Sequence, residues 1–579
     1  QKGMHNISLK SREVTMSGNI AIGIQDFSTI IQGNYFYIDK TPFIKEWWDC
    51  GDSATLITRP RRFGKTLTMS MVEQFFSIDY AGRSDLFEHL AIWKEEKYRE
   101  LQGTYPVISL SFARIKERDY EKTKQKMCEV LRNIYIKFCY IKDSEKLTDA
   151  DRAYYERMLE ENIKETDATS SLYQLSDFLY RYYGKKVIIL LDEYDTPMQE
   201  AYLHGYWREF TAFIRNFFNA TFKTNPYLER AVLTGITRVS KESVFSDLNN
   251  LNVVTTSSTE YETSFGFTEE EVFQALEDLK MGEQKELVKS WYDGFVFGNT
   301  HDIYNPWSIT NFLDKKQVRP YWADTSSNSM IDELIRKAST DIKEKMEELL
   351  QGKEIVVNFD EQIVFEQLDQ DENAIWSLML VSGYLKAEQI EYRGVLLEPW
   401  YHLRITNLET TAMFTTMFKG WFAKNQSNYN QFMKALLSDD IDAMNYYMNQ
   451  ITMATFSYFD VDGAEGGKSE PERFYHGFVL GLIAEQTDIY EIRSNRESGF
   501  GRYDVMMIPK KRDNRYPAVI MEFKVRNAIK EVNLEASVQA ARKQIEEKNY
   551  DAELLARGFK KEEILHYGFA FEGKKILIG

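Results

Sequence analysis

Two groups of residues in this 579-residue chain have the types and spacing for chemistry on phosphates. The first is spread over three segments. The apolar run ATLIT, 54–58, reads as a strand, and RPRRFGKTLTMSM follows it with Gly64, Lys65 and Thr66 where that strand turns into a helix. Backbone N–H groups at a helix start favour an anion, a lysine there reaches the terminal phosphates of a nucleotide, and a threonine hydroxyl ligates Mg2+. Arg62 and Phe63 complete the turn as candidate nucleotide contacts. Such loops carry a first glycine five residues before Gly64; here that place holds Arg59, with Pro60 after it, so the loop keeps its length and loses a permissive residue. The second segment, KVIILLDEYDTP, ends an apolar strand on Asp192 and Glu193. Asp192 suits a Mg2+ ligand, and Glu193 suits the base that activates or orients an attacking water. Asp195 reads equally as a further carboxylate or as turn chemistry before Pro197. The third segment, LTGITRVSKES, offers Thr234 as a sensor of the γ-phosphate and Arg238 as a positive charge.

The second group lies near the C-terminal end. GRYDVMMIP puts Asp504 at the start of a strand, and YPAVIMEFKV carries Glu522 and Lys524, two apart and therefore on one face. Hairpin pairing would bring Asp504 beside them. Two carboxylates and a lysine describe a hard-cation site, in which the metal polarises a phosphodiester and Lys524 positions water or stabilises charge. In the following helix, ASVQAARKQIEEKNY, Gln544 and Tyr550 are candidates to face this site. Upstream, Glu472 and Glu485 are alternative further acids, and the sequence does not choose between them. Three such residues alone would sooner make a surface ion-pair cluster; the order helix, GRxD strand, ExK strand, Gln-bearing helix is what points to a site.

These residues need elements to hold them. Short β-branched runs at 54–58, 106–112, 186–192 and 231–236 alternate with helical stretches, which predicts an α/β domain with a mostly parallel sheet. The charged, aromatic-rich stretch from about 114 to 183 reads as helices appended to one side. TEEEV marks a helix start with Thr268 as N-cap, and from there to about 455 the chain reads as mainly helical. VDGAEGGKSEPE, 461–472, reads as a linker.

Composition narrows the field. Apolar residues make up 43% and aromatics 14%, which excludes a disordered chain. No apolar run approaches the roughly 20 residues of a membrane span, and no apolar leader core stands near the first residue, so a cytoplasmic protein is expected. Cys50, Cys128 and Cys139 make no disulfide framework and no zinc site, and the seven histidines show no zinc-hydrolase spacing. Trp47, Trp48, Trp291 and Trp307 read as core or interface aromatics. The net charge of −17 argues against a whole-surface nucleic-acid binder. That charge is uneven: residues 465–579 hold 20 Lys plus Arg against 19 Asp plus Glu. Binding by this neutral part would be modest and salt-sensitive.

Taken together, GIQDF, YFYIDKTPFI, RPRRFGKTLTMSM, IILLDEYDTP and LTGITRVSKESVFSDLNNL, with WYDGFVFG…YNPWSI after them, resemble the AAA-ATPase-like family of bacterial proteins. That family shares the RPRRFGK form of the loop. From about 472 to 573 the chain resembles the PD-(D/E)xK nuclease superfamily. The resemblance implies a P-loop ATPase domain over 20–267, a helical lid or coupling region over 268–460, and an α/β nuclease-like domain over 468–579. It implies ATP and Mg2+ as cofactors, nucleic acid as partner with DNA ahead of RNA, a homo-oligomer, and no membrane. The function expected is an ATP-controlled, Mg2+-dependent nuclease; the alternative is an ATP-switched scaffold whose nuclease-like domain binds without cutting.

Overall fold

The computed structural model describes residues 19–237, 245, 248–323, 329–359, 371–421, 426–459, 469–495, 503–511, 516–527, 531–572 and 575–579. They divide into two compact units. One comprises the described residues up to 326 together with 357–409; the other comprises 327–356 together with 410–579.

The first unit is built on a five-stranded parallel sheet. Its strands are β1 (Ala54–Thr58), β2 (Val107–Ser111), β3 (Val187–Asp192), β4 (Leu228–Gly235) and β5 (Leu251–Val254), in the order β2-β3-β4-β1-β5. All six residues of β3 are buried, as expected of an apolar run covered on both faces. The helix Lys65–Phe76 leaves the end of β1 and buries Met69, Met71, Val72, Phe75 and Phe76 in the core of this unit. The stretch after β2 does fold as helices, Tyr120–Lys137, Asp149–Leu159 and Glu165–Tyr183. Two buried tyrosines tie them together: Tyr155 Oη donates to the Tyr135 carbonyl and Tyr135 Oη to that of Ser171, each at 2.7 Å. Thr268 caps the helix Glu269–Asp278 through a reciprocal pair with Glu271.

The region after 268 holds more strand than its sequence suggests. β6 (Phe267–Thr268), β7 (Phe295–Phe297) and β8 (Thr300–Tyr304) form one small sheet. β9 (Ile355–Asn358), β10 (Leu385–Arg393) and β11 (Glu398–Ile405) form another, in the order β10-β11-β9. Much of β10 is exposed or half-buried, so its residues show no apolar alternation to betray it.

The second unit contains a mixed sheet of β12 (Tyr490–Asn495), β13 (Tyr503–Pro509), β14 (Ala518–Val525), β15 (Ile564–Glu572) and β16 (Lys575–Ile578), in chain order. Neighbours are antiparallel except β14 and β15, which run parallel. The helix Ser469–Gln486 covers one face, where the Tyr475 and Phe478 rings meet Phe523 with centroids 4.9 and 6.2 Å apart. The helix Leu534–Glu547 covers the other, above Glu522 and Gly568. Of the expected linker, 461–468 lie outside the described residues, and 469–472 already belong to the first of these helices.

Candidate functional site

The phosphate-type residues converge at the C-terminal edge of the parallel sheet, where open α/β sheets bind ligands. Asp192, at the end of β3, is the hub. Its Oδ2 accepts the Thr66 hydroxyl at 2.7 Å and its Oδ1 accepts the Thr234 hydroxyl at 2.6 Å. β4 lies between β3 and β1, which places Thr234 between Asp192 and the loop. Burial and the neighbouring Glu193 push the Asp192 carboxyl above its ordinary range, and its two threonine donors and Lys65 oppose that shift. Lys65 is 3% exposed; its ammonium donates to the carbonyls of Arg59 and Pro60, both at 3.0 Å, and stands 3.7 Å from Glu193. Arg62, Gly64 and Glu193 have left-handed backbones, with φ of 67°, 79° and 53°. Such residues curl a loop into an anion-binding concavity, and a non-glycine held there stores strain of about 1–3 kcal/mol. Arg238 lies outside the described residues.

What holds the loop was missed from sequence. Arg59, which replaces the expected glycine, is completely buried. Its Nη1 donates to the carbonyls of Thr58 (2.9 Å) and Thr255 (2.8 Å), its Nη2 to those of Glu260 (3.3 Å) and Tyr261 (3.4 Å), and its guanidinium lies 4.7 Å from the Phe297 ring centroid. Burial draws its pKa down to about 10, so it remains charged at neutral pH. The carbonyl of Arg61 accepts from Asn305 Nδ2 (3.2 Å) and from the Trp322 indole (3.1 Å). Arg62 stacks on Trp307 at 4.3 Å, and Phe63 packs edge-on against Phe295 and Phe297. Asp195 is a clamp, not an exposed turn: its buried Oδ2 accepts the backbone N–H groups of Ile236 (3.0 Å) and Thr237 (2.7 Å) and the Thr237 hydroxyl (2.7 Å). It thereby fixes the chain just after Thr234.

In the second unit, the antiparallel register sets Asp504 opposite Glu522, and opposite residues share a face. Glu522 is completely buried, and Gln544 donates to it from the covering helix. Lys524, two residues on, is half-buried on that face. Tyr550 packs against the apolar cluster that includes Ala518, Ile520, Ile545 and Leu554. Glu472 and Glu485 belong to the helix on the opposite face. Glu485 lies seven residues beyond Phe478, about 10 Å along the axis, where burial raises its carboxyl and Lys419 opposes that. Glu472 is one turn before His476 in that helix.

Comparison with known families bears on both places. Residues 21–245 match the family described as predicted AAA-ATPase, and residues 470–579 match the PD-(D/E)XK nuclease superfamily. The chain joins an AAA-ATPase-like domain to a PD-(D/E)XK nuclease superfamily domain. It is also 28% identical over 400 residues, 68% of each chain, to an uncharacterized protein in the vnfD 5′ region of Azotobacter chroococcum mcd 1. Among the described residues, no helix is long and apolar enough to cross a membrane. Most partners that brace the ATPase-like loop, from Thr255 to Trp322, follow the matched stretch, so the fold of that site extends beyond 245.

Two expected outcomes test this scaffolding. Arg59→Met should destabilise the first unit by about 2–4 kcal/mol, because it strands buried carbonyls that the guanidinium satisfies. Denaturant unfolding measures this, and a loss below about 1 kcal/mol would contradict the role. In the nuclease-superfamily domain, a Cβ on Gly568 would sit 2.8 Å from the Val538 carbonyl and 3.0 Å from the Ala541 Cβ. Gly568→Ala should therefore lift the helix that carries Gln544 and cost about 1–3 kcal/mol. A melting temperature equal to that of the parent protein would show that the helix has room to spare.

Proposed function

We propose that the chain is an ATP-hydrolysing switch whose nucleotide state controls a Mg2+-dependent nuclease acting on DNA or RNA, with DNA the first choice. The carrying observation is joint: Asp192 gathers Thr66 and Thr234 at one sheet edge, while the β13–β14 register sets Asp504 opposite Glu522 in the same chain. The proposed limits are 20–267 for the ATPase, 268–460 for coupling and 468–579 for the nuclease-like part.

The donor chemistry fits the implied cation. The Thr66 hydroxyl with the Asp192 carboxylate, and Glu522 with the position of Asp504, are hard oxygen donors of the kind Mg2+ takes. When bound, the cation would neutralise phosphate charge and acidify a water. Lys65 would exchange its two loop carbonyls for terminal phosphate oxygens, at little cost because both are charge-assisted contacts. Glu193, beside that ammonium, would take the proton of the attacking water, and Thr234 would report the γ-phosphate to Asp192. In the other site, Lys524 would orient the nucleophilic water and Gln544 would hold Glu522 in place.

The test is cleavage of single- and double-stranded DNA and RNA by the full chain with Mg2+ or Mn2+, with ATP, a non-hydrolysable analogue, or no nucleotide. Metal-dependent cleavage is expected, with a rate that changes at least about fivefold with nucleotide state. No cleavage of any substrate would remove the nuclease reading. Cleavage indifferent to nucleotide would remove the control.

A further inference from the structure

In the second unit, a carboxylate far from the nuclease match in sequence reaches two of its elements. Glu347, on the helix Thr340–Leu350, is completely buried and uses both oxygens. Oε1 lies 2.9 Å from Nδ1 of His476, itself 1% exposed, and Oε2 accepts the Ser494 hydroxyl at 2.9 Å. On the same helix Glu344 faces His476 Nε2 at 3.8 Å, and Gln351, which caps its C-terminal end, donates to the Ile492 carbonyl at 3.4 Å. A buried carboxylate carries a desolvation cost of several kcal/mol that only good partners offset, so this one is tightly constrained in place.

The two partners stand at informative positions. His476 is four residues after Glu472, about one turn further along the helix Ser469–Gln486. Ser494 precedes Asn495, whose register partner is Asp504, and Asp504 in turn opposes Glu522. One side chain thus fixes both the helix that bears the candidate acid at 472 and the strand end aligned with the two metal-type carboxylates. Glu347 lies outside the stretch 470–579 that matches the nuclease superfamily.

We propose that Glu347 is a positioning residue for the nuclease centre, which makes the helix Thr340–Leu350 a working part of that centre. It acts through His476 and Ser494 and touches no substrate. Glu347 bonds no candidate ligand itself, so its loss should weaken metal affinity by about tenfold, the lower end of what a direct partner of a ligand supplies.

The proposal rests on the nuclease reading above, and the experiment separates the two. The readouts, both on the full-length protein, are Mn2+ affinity by calorimetry without nucleic acid or nucleotide and the Mn2+ concentration that half-activates cleavage. A reduced folded fraction lowers the amplitude of the activation curve and leaves its midpoint unmoved. Glu347→Ala is expected to raise the midpoint about tenfold, Ser494→Ala about fivefold, and Glu347→Gln, which can still bond both partners, less than about threefold. ATP hydrolysis should be unchanged in all three. Midpoints unmoved in Glu347→Ala and Ser494→Ala, with the parent protein cleaving, would overturn this inference alone. A parent protein that cleaves nothing overturns the nuclease reading and this inference with it. If Glu347→Ala does not fold, Ser494→Ala, which removes one hydroxyl, decides the matter.

Discussion

Lys65→Met should abolish ATP binding, with affinity falling at least about 100-fold, the equivalent of about 3 kcal/mol. The size follows from what the ammonium does. It is buried, it stands 3.7 Å from Glu193, and its present partners are two carbonyls of the loop itself. Methionine keeps the apolar stem, so the loop should hold its shape through the Arg59 guanidinium, the Asn305 amide and the Trp322 indole, none of which bonds the ammonium. Calorimetric titration with ATP and Mg2+ measures the effect. Unchanged binding would show that the loop is not a phosphate site, whatever its resemblance.

Glu522→Gln should remove cleavage, by about 100- to 1000-fold, while leaving ATP binding intact. Glutamine occupies the same volume and its amide oxygen can still accept from Gln544, so packing under the helix Leu534–Glu547 is preserved. Only the charge goes, and with it the attraction for a divalent cation. Asp504→Ala should match it, since the register sets the two positions opposite each other. Cleavage that survived in both variants would come from a centre elsewhere, and the pairing of β13 with β14 would have no catalytic meaning.

The legibility of this chain divides along a physical line. Elements whose function needs a local sequence pattern were readable: the buried run of β3, the Gly64–Thr66 helix start, the Thr268 cap and the ExK strand each carry their reason within a few residues. Contacts made across long separations were not. Nothing around Arg59 announces that its guanidinium will reach carbonyls some 200 residues away, and a glycine rule invites the opposite reading of that position. Asp195 could be read as turn chemistry because Pro197 follows; its burial depends on β4 arriving beside β3. The strand β10 was hidden because its exposed side chains follow solvent and not a core.

The course of the chain between its two compact units has a practical meaning for anyone who tries to take the molecule apart. The polypeptide leaves the first unit after 326, returns at 357 and leaves again after 409. A fragment beginning at 410, or at the family boundary near 470, would contain every residue of the nuclease sheet and still lack the helix Thr340–Leu350. His476 and Ser494 would lose the carboxylate that joins them. A cut at the family boundary would therefore leave the nuclease-like part without the carboxylate proposed to position it. Dissection of this protein calls for a two-piece design, in which residues 327–356 are supplied in trans or stitched ahead of 410. For the same reason the nuclease half is not a cassette that recombination could move to a new host protein in a single exchange.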